Sequence, residues 1–83
     1  MEFEYDPANK AKHGLDFEEA KALWDDVRMI EAPARTIDEP RYLAIGMIAA
    51  KHWAAVFSRR DGRVRLISVR RARDEEIGHY EGQ

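Results

Sequence analysis

The chain alternates short apolar stretches with polar turns, and the spacing of the apolar positions predicts mostly β-strands. In the first stretch Phe3 and Tyr5 alternate with acidic residues, which is typical of a half-buried strand. Four later stretches have the apolar and β-branched composition of strands, and they are residues 27–32, 41–48, 52–58 and 63–70. Asp61-Gly62 separates the last two stretches and is a strong signal for a hairpin turn.

Three further segments carry the signals of helices. A short first helix is predicted over residues 8–12, which follow an Asp-Pro pair and precede a glycine. A second helix begins after Asp16, whose spacing from Glu19 is that of a capping box, and it ends at a pair of aspartates. A third helix is predicted over residues 72–80. The expected order of elements is therefore β-α-α-β-β-β-β-α.

This order predicts an α+β fold. Four consecutive strands without helices between them favour an antiparallel sheet, and we expect the two N-terminal helices to cover one of its faces. The short C-terminal helix completes a single domain that spans the whole chain. In the last strand we expect Ile67 and Val69 to face the covered core, which leaves Leu66, Ser68 and Arg70 on the open face.

Composition removes several classes of function. The chain has no cysteine, which excludes disulfides, thiolate zinc sites and cysteine nucleophiles. It lacks the histidine–glutamate, glycine-rich and serine-centred motifs of metal, nucleotide and acyl-transfer sites, so we expect neither a metal nor a cofactor. It also lacks an apolar membrane span and a signal peptide, which predicts a cytoplasmic protein without membrane contact.

The charges are segregated along the chain although the net charge is only −2. Residues 51–73 contain eight lysines and arginines against one aspartate, whereas residues 1–26 contain eight acids against three lysines. A basic block in an otherwise acidic protein indicates one surface that faces a polyanion. The alternative is that the acids fold back onto the arginines as ordinary ion pairs, which are individually weak on a surface.

Arg70 is the first candidate for a catalytic group. It lies at the end of the last strand, where a guanidinium fork is held rigidly enough to bind a phosphate. Alternatively, Arg70 only forms a salt bridge to Glu76. In the functional hypothesis, Glu76 orients Arg70 for catalysis. Arg59 ends the preceding strand and adds a second cation, and the two arginines are expected to hold one phosphate together.

His13 is the candidate for proton transfer, because histidine titrates near neutral pH. Lys12 beside it is expected to assist at the phosphate, although a histidine at a helix end is also common for structural reasons. Further RNA contacts are predicted from Arg65, Arg71 and Tyr80. The tyrosine is four residues beyond a glutamate on the last helix, where it either stacks on a base or closes the edge of the core.

Together these groups fit the metal-independent cleavage of RNA. That reaction needs a base for the ribose 2′-hydroxyl, cations at the phosphorus and an acid for the leaving oxygen. The alternative is a non-catalytic module whose basic face binds an acidic protein or a structured RNA.

Two segments of the sequence resemble the BrnT family of toxins. LISVRRA at residues 66–72, followed by Glu76 and Tyr80, resembles the C-terminal signature of that family. Residues 9–20, which contain the Lys12-His13-Gly14 tripeptide, resemble its N-terminal signature. The two segments are in the right order and span nearly the whole chain.

The resemblance implies a RelE-like fold and a type II toxin–antitoxin system. It implies an endoribonuclease that inhibits translation, with an active surface around Lys12, His13, Arg70 and Glu76 to which the arginines near Arg59 contribute. It also implies a BrnA-type antitoxin that neutralises the toxin in a two-to-two hetero-oligomer. Such a complex represses its own operon, and only the antitoxin contacts operator DNA.

Overall fold

The computed structural model describes residues 2–5, 15–34 and 40–83. The chain is α+β, as predicted. The elements in chain order are β1 (Glu2–Tyr5), α1 (Phe17–Ala20), a 3₁₀ helix (Lys21–Asp25), β2 (Ile30–Ala34), β3 (Arg41–Ile48), β4 (Lys51–Arg60), β5 (Arg63–Arg71) and α2 (Asp74–Glu81). The helix predicted over residues 8–12 lies outside the described residues. None of the helices in the described part of the chain is long and apolar enough to cross a membrane.

The five strands form one mixed sheet in the order β1-β5-β4-β3-β2. Strands β2 to β5 pair antiparallel, as predicted from their short connections. The prediction of an entirely antiparallel sheet is wrong for β1, which pairs parallel with β5. β1 and β5 lie far apart in the sequence, as the pairing of Glu2 with Arg63 shows. No hairpin turn therefore fixes whether they pair parallel or antiparallel.

The predicted capping box starts α1. The Asp16 carboxylate accepts a hydrogen bond from Glu19 N at 2.7 Å, and the Glu19 side chain accepts one from Asp16 N at 3.5 Å. The helix has only four residues before it tightens into the 3₁₀ helix. Three residues per turn place Ala20 and Leu23 on the same side, and both are fully buried.

The two faces of the sheet have different coverings. The core face packs against α1 and the 3₁₀ helix, and its buried cluster is Leu15, Phe17, Ala20, Leu23, Ala44, Trp53, Ala55, Phe57, Val64, Leu66 and Val69. The opposite face, called the α2 face below, packs at one end against α2. Its smaller cluster is Ile45, Ala54 and Tyr80, with Ile30, Leu43, Met47 and Ala72 packed around it.

A β-bulge in β5 changes which side chains share a face. Val56 of β4 lies opposite Ser68, whereas the next residue, Phe57, lies opposite Leu66, so Ile67 is an extra residue in β5. The prediction that Ile67 lies in the core is therefore wrong, and this side chain is only half-buried. Leu66 takes its place in the core.

Beyond the bulge the predicted faces are correct. Val69 is buried on the core face, and it lies opposite the buried Ala55. Ser68 is exposed and Arg70 lies opposite Ala54, so both belong to the α2 face. The bulge thus moves Arg65 to the α2 face as well, because one inserted residue reverses the alternation between Arg65 and Arg70.

Candidate functional site

Arg70 and Glu76 form a two-pronged ion pair that joins β5 to α2. Arg70 Nη1 donates to Glu76 Oε1 at 2.7 Å, and Nη2 donates to Oε2 at 2.8 Å. Glu76 Oε1 also accepts from Arg73 N at 2.8 Å, which satisfies a backbone donor at the start of α2. The two side chains are 25% and 9% exposed, respectively.

The ion pair keeps both groups charged at neutral pH. The hydrogen bond from Arg70 lowers the pKa of Glu76 below its ordinary value, and this outweighs the opposite effect of burial. The hydrogen bond to Glu76 likewise raises the pKa of Arg70. The sequence left two roles open for Glu76, and the structure places it as the direct partner of Arg70.

Glu76 occupies only one edge of the Arg70 guanidinium. The second hydrogen of Nη1 points to the carbonyl oxygen of Arg71 at 3.2 Å. In residues 2–5, 15–34 and 40–83, Nε and the second hydrogen of Nη2 have no acceptor. These two donors lie on one edge of the planar group, in the fork geometry that matches two phosphate oxygens. Arg70 is therefore fixed in orientation, while its second donor edge, called the available edge below, has no acceptor among the described residues.

Arg59 lies on the core face, opposite Val64. Its Nη2 donates to both carboxylate oxygens of Glu31, at 2.7 and 2.9 Å, and its guanidinium stacks over Tyr42 and Phe57. The structure thus places Arg59 and Arg70 on opposite faces of the sheet, and Ala54, the residue opposite Arg70, lies five positions before Arg59 on β4. The prediction that these two arginines hold one phosphate together does not agree with this geometry.

The predicted RNA contacts fall into separate places. Arg65 lies on the α2 face, as Arg70 does. Arg71 lies on the core face, where its guanidinium stacks over Trp53 and its Nε donates to the carbonyl oxygen of His52. Tyr80 is buried, with 3% of its surface exposed, so the predicted stacking on a base does not fit its position. Lys12 and His13 lie outside the described residues.

Comparison with known families identifies the chain. The model of the family described as "Ribonuclease toxin, BrnT, of type II toxin-antitoxin system" matches residues 5–76. The chain belongs to this family. No curated protein matches the chain. The BrnT resemblance inferred from the two sequence signatures is thereby confirmed, and the chain is a ribonuclease toxin of a type II toxin–antitoxin system with an antitoxin as its partner.

Asp26 joins separate segments of this BrnT toxin by hydrogen bonds, and the sequence analysis did not single it out. Its Oδ2 accepts from Tyr80 Oη at 2.6 Å and from Met47 N at 2.9 Å, and its Oδ1 accepts from Arg28 N at 2.9 Å. Gly46 permits this approach, because a Cβ there would lie 3.2 Å from Asp26 Oδ2. Burial alone would raise the pKa of Asp26, but these hydrogen bonds outweigh it and the pKa is lowered.

Replacing Tyr80 with phenylalanine is expected to destabilise the toxin by about 1.5–3 kcal/mol at neutral pH, because a hydrogen bond to a charged carboxylate is lost. Asp26 has a lower pKa folded than unfolded, so its contribution exists above about pH 4 and disappears as the pH falls. Urea unfolding should therefore show a smaller difference at pH 3 than at pH 7. Tyr42→Phe is the control, and an equal loss in both variants would contradict the role of Asp26.

Within the described residues, no three histidine, aspartate or glutamate side chains are grouped so that they could hold a metal ion. The groups that the structure brings together on the α2 face of the BrnT toxin are instead cationic. Arg70 and Arg65 are both on this face, and Glu76 fixes the orientation of the Arg70 guanidinium. This arrangement suits the binding of a phosphodiester chain.

Proposed function

We propose that this toxin is a metal-independent endoribonuclease whose catalytic arginine is Arg70. The available edge of its guanidinium takes two oxygens of the scissile phosphate and neutralises the charge that develops there. Glu76 acts as a positioning residue, because it holds the opposite edge. The observation that supports this proposal is that Arg70 is fixed by Glu76 on one edge and lacks acceptors on the other within the described residues.

His13 is the proposed proton shuttle. Its imidazole removes the proton from the ribose 2′-hydroxyl, whose oxygen attacks the adjacent phosphorus. The bond from phosphorus to the 5′-oxygen of the next nucleotide then breaks, and the imidazolium returns the proton to that oxygen. Lys12 contributes positive charge at the phosphate. Arg59 is not part of this centre, because it faces the other side of the sheet.

RNA cleavage by this chain is proposed to inhibit translation in the cytoplasm. A BrnA-type antitoxin neutralises the toxin by covering the α2 face with acidic side chains, since buried like charges need a complementary partner. The complex is a two-to-two hetero-oligomer that represses its own operon through the antitoxin, and the toxin chain forms a single domain.

The proposal is tested by incubating the purified toxin with RNA in excess chelator. Cleavage should persist in chelator and fall by at least about 100-fold in His13→Gln, because general acid–base catalysis contributes that much or more. The product should end in a 2′,3′-cyclic phosphate, since the 2′-oxygen is the nucleophile. Cleavage that stops in chelator would contradict metal independence. Intact RNA that is bound but not cut would favour the non-catalytic module.

A further inference from the structure

A groove of about 360 Å³ lies at the end of the sheet away from α2, beside Glu4, Arg60 and Arg65, whose register places them on the α2 face. It is lined by Glu4, Tyr5, Arg60 and Arg65. The parallel pairing of β1 with β5 places Glu4 directly beside Arg65, although the two are far apart in the sequence. A volume of this size is within the range of small-ligand sites and is enough for one nucleotide unit.

The two arginines that line the groove differ from the neighbouring Arg63 in their ion-pair partners. Arg63 is already paired, because its Nε lies 2.9 Å from Glu2 Oε2 and its Nη1 lies 3.9 Å from Glu4 Oε2. Arg60 and Arg65 have no carboxylate within ion-pair distance in the described part of the chain. Two arginines that line one open groove and form no ion pair within the described residues favour an anionic ligand, although Glu4 lines the same groove.

The groove and Arg70 both lie along β5, because Arg65 of that strand lines the groove. Arg65 and Arg70 are on the same face of β5 because of the bulge at Ile67, and the four residues between them in the strand separate them by roughly 15 Å. This spacing is more than one nucleotide along an extended strand. A single RNA strand that runs along β5 therefore reaches both positions with different phosphates.

We propose that the groove is a second RNA subsite that holds one ribonucleotide outside the scissile bond. Arg60 and Arg65 bind its phosphate, and Glu4 accepts a hydrogen bond from its ribose 2′-hydroxyl. The carboxylate thereby gives the subsite a preference for RNA, because the hydrogen bond from the 2′-hydroxyl offsets the repulsion between Glu4 and the phosphates, and DNA offers no such donor. This inference rests on the proposed path of RNA over the α2 face.

The phosphate contact is tested by fluorescence anisotropy with a labelled RNA decamer. The measurements use the Arg70→Lys protein, in which cleavage is expected to be at least about 100-fold slower, and each is completed before the RNA is cut. Replacing Arg60 and Arg65 with glutamine should weaken binding by about tenfold, as expected when charge-assisted hydrogen bonds are lost. The slope of log affinity against log salt should also become smaller by about one. Arg63→Gln is the matched control and should change affinity less than twofold, because Arg63 is occupied by Glu2.

The ribose contact is tested with the same decamer and its DNA counterpart. Glu4→Ala should weaken RNA binding and strengthen DNA binding, so that the ratio of the two affinities falls by at least about threefold. Wild-type affinity in the Arg60 and Arg65 double variant would overturn the subsite, and an unchanged ratio in Glu4→Ala would overturn the role of Glu4. Both outcomes are independent of catalysis. Cleavage of the decamer by Arg70→Lys at the wild-type rate would instead contradict the proposed function.

Discussion

Arg70→Lys is expected to reduce the rate of RNA cleavage by about 100-fold or more while the toxin stays folded. A lysine ammonium retains the positive charge and pairs with Glu76, so the link between β5 and α2 survives. It has no second pair of donors in a fixed plane, however, and loss of one charge-stabilising donor typically costs two to three orders of magnitude in rate. Single-turnover cleavage of a labelled RNA measures the effect, with thermal unfolding as the check on the fold.

Arg59→Lys is the matched control for this experiment. Arg59 is also an arginine of a long strand that is paired with a glutamate, through Nη2 alone, but it lies on the core face. We expect its conversion to lysine to change the cleavage rate by less than about threefold. A folded Arg70→Lys protein with the wild-type rate would contradict the catalytic role of Arg70, and an equal loss in both variants would contradict the assignment to the α2 face.

Glu76→Ala is expected to have the largest effect on stability, a loss of about 2–4 kcal/mol at neutral pH. The substitution leaves a partly buried guanidinium without its partner and removes the acceptor for Arg73 N. Glu76 has a lower pKa in the folded state, so its contribution is present above about pH 4 and is lost as the pH falls. The difference between wild type and Glu76→Ala should therefore shrink at pH 3.

Urea unfolding at the two pH values provides this measurement. Glu75→Ala is the control, because the adjacent Glu75 is exposed and has no hydrogen-bond partner in the described residues, and its loss should stay below about 0.5 kcal/mol. Glu76→Gln should lose less than Glu76→Ala, since an amide oxygen still accepts from Arg73 N. If Glu75→Ala and Glu76→Ala are equally stable, the ion pair does not hold α2 on the sheet.

The elements themselves were predictable because their signals are local. Asp61 and Gly62 both have positive φ, at 51° and 76°, which is the conformation that a tight two-residue hairpin requires. The capping box at Asp16 and Glu19 was equally readable, since both partners lie within one turn. The order and antiparallel pairing of β2 to β5 followed from these short-range rules.

The composition of the site was not predictable to the same extent, because a single inserted residue decides it. In a regular hairpin Arg59 lies opposite Val64, and strict alternation would then place Arg70 on the same face as Arg59. The bulge at Ile67 reverses the alternation, so Arg70 turns away from Arg59 and joins Arg65. Nothing in the sequence from Val64 to Val69 marks the insertion. The parallel β1–β5 pair, which creates the groove beside Glu4, likewise depends on contacts between the two ends of the chain.

The most direct test of the central claim observes the available edge of Arg70 itself. Heteronuclear NMR detects the Nε–H group of each arginine, and the Arg70 signal is assigned by its absence in Arg70→Lys. Titration with a 2′-O-methyl RNA, which cannot be cleaved, should shift this signal and slow its exchange with water, while the Arg59 signal stays in place. An Arg70 Nε–H signal that is unchanged at saturating RNA would contradict the account.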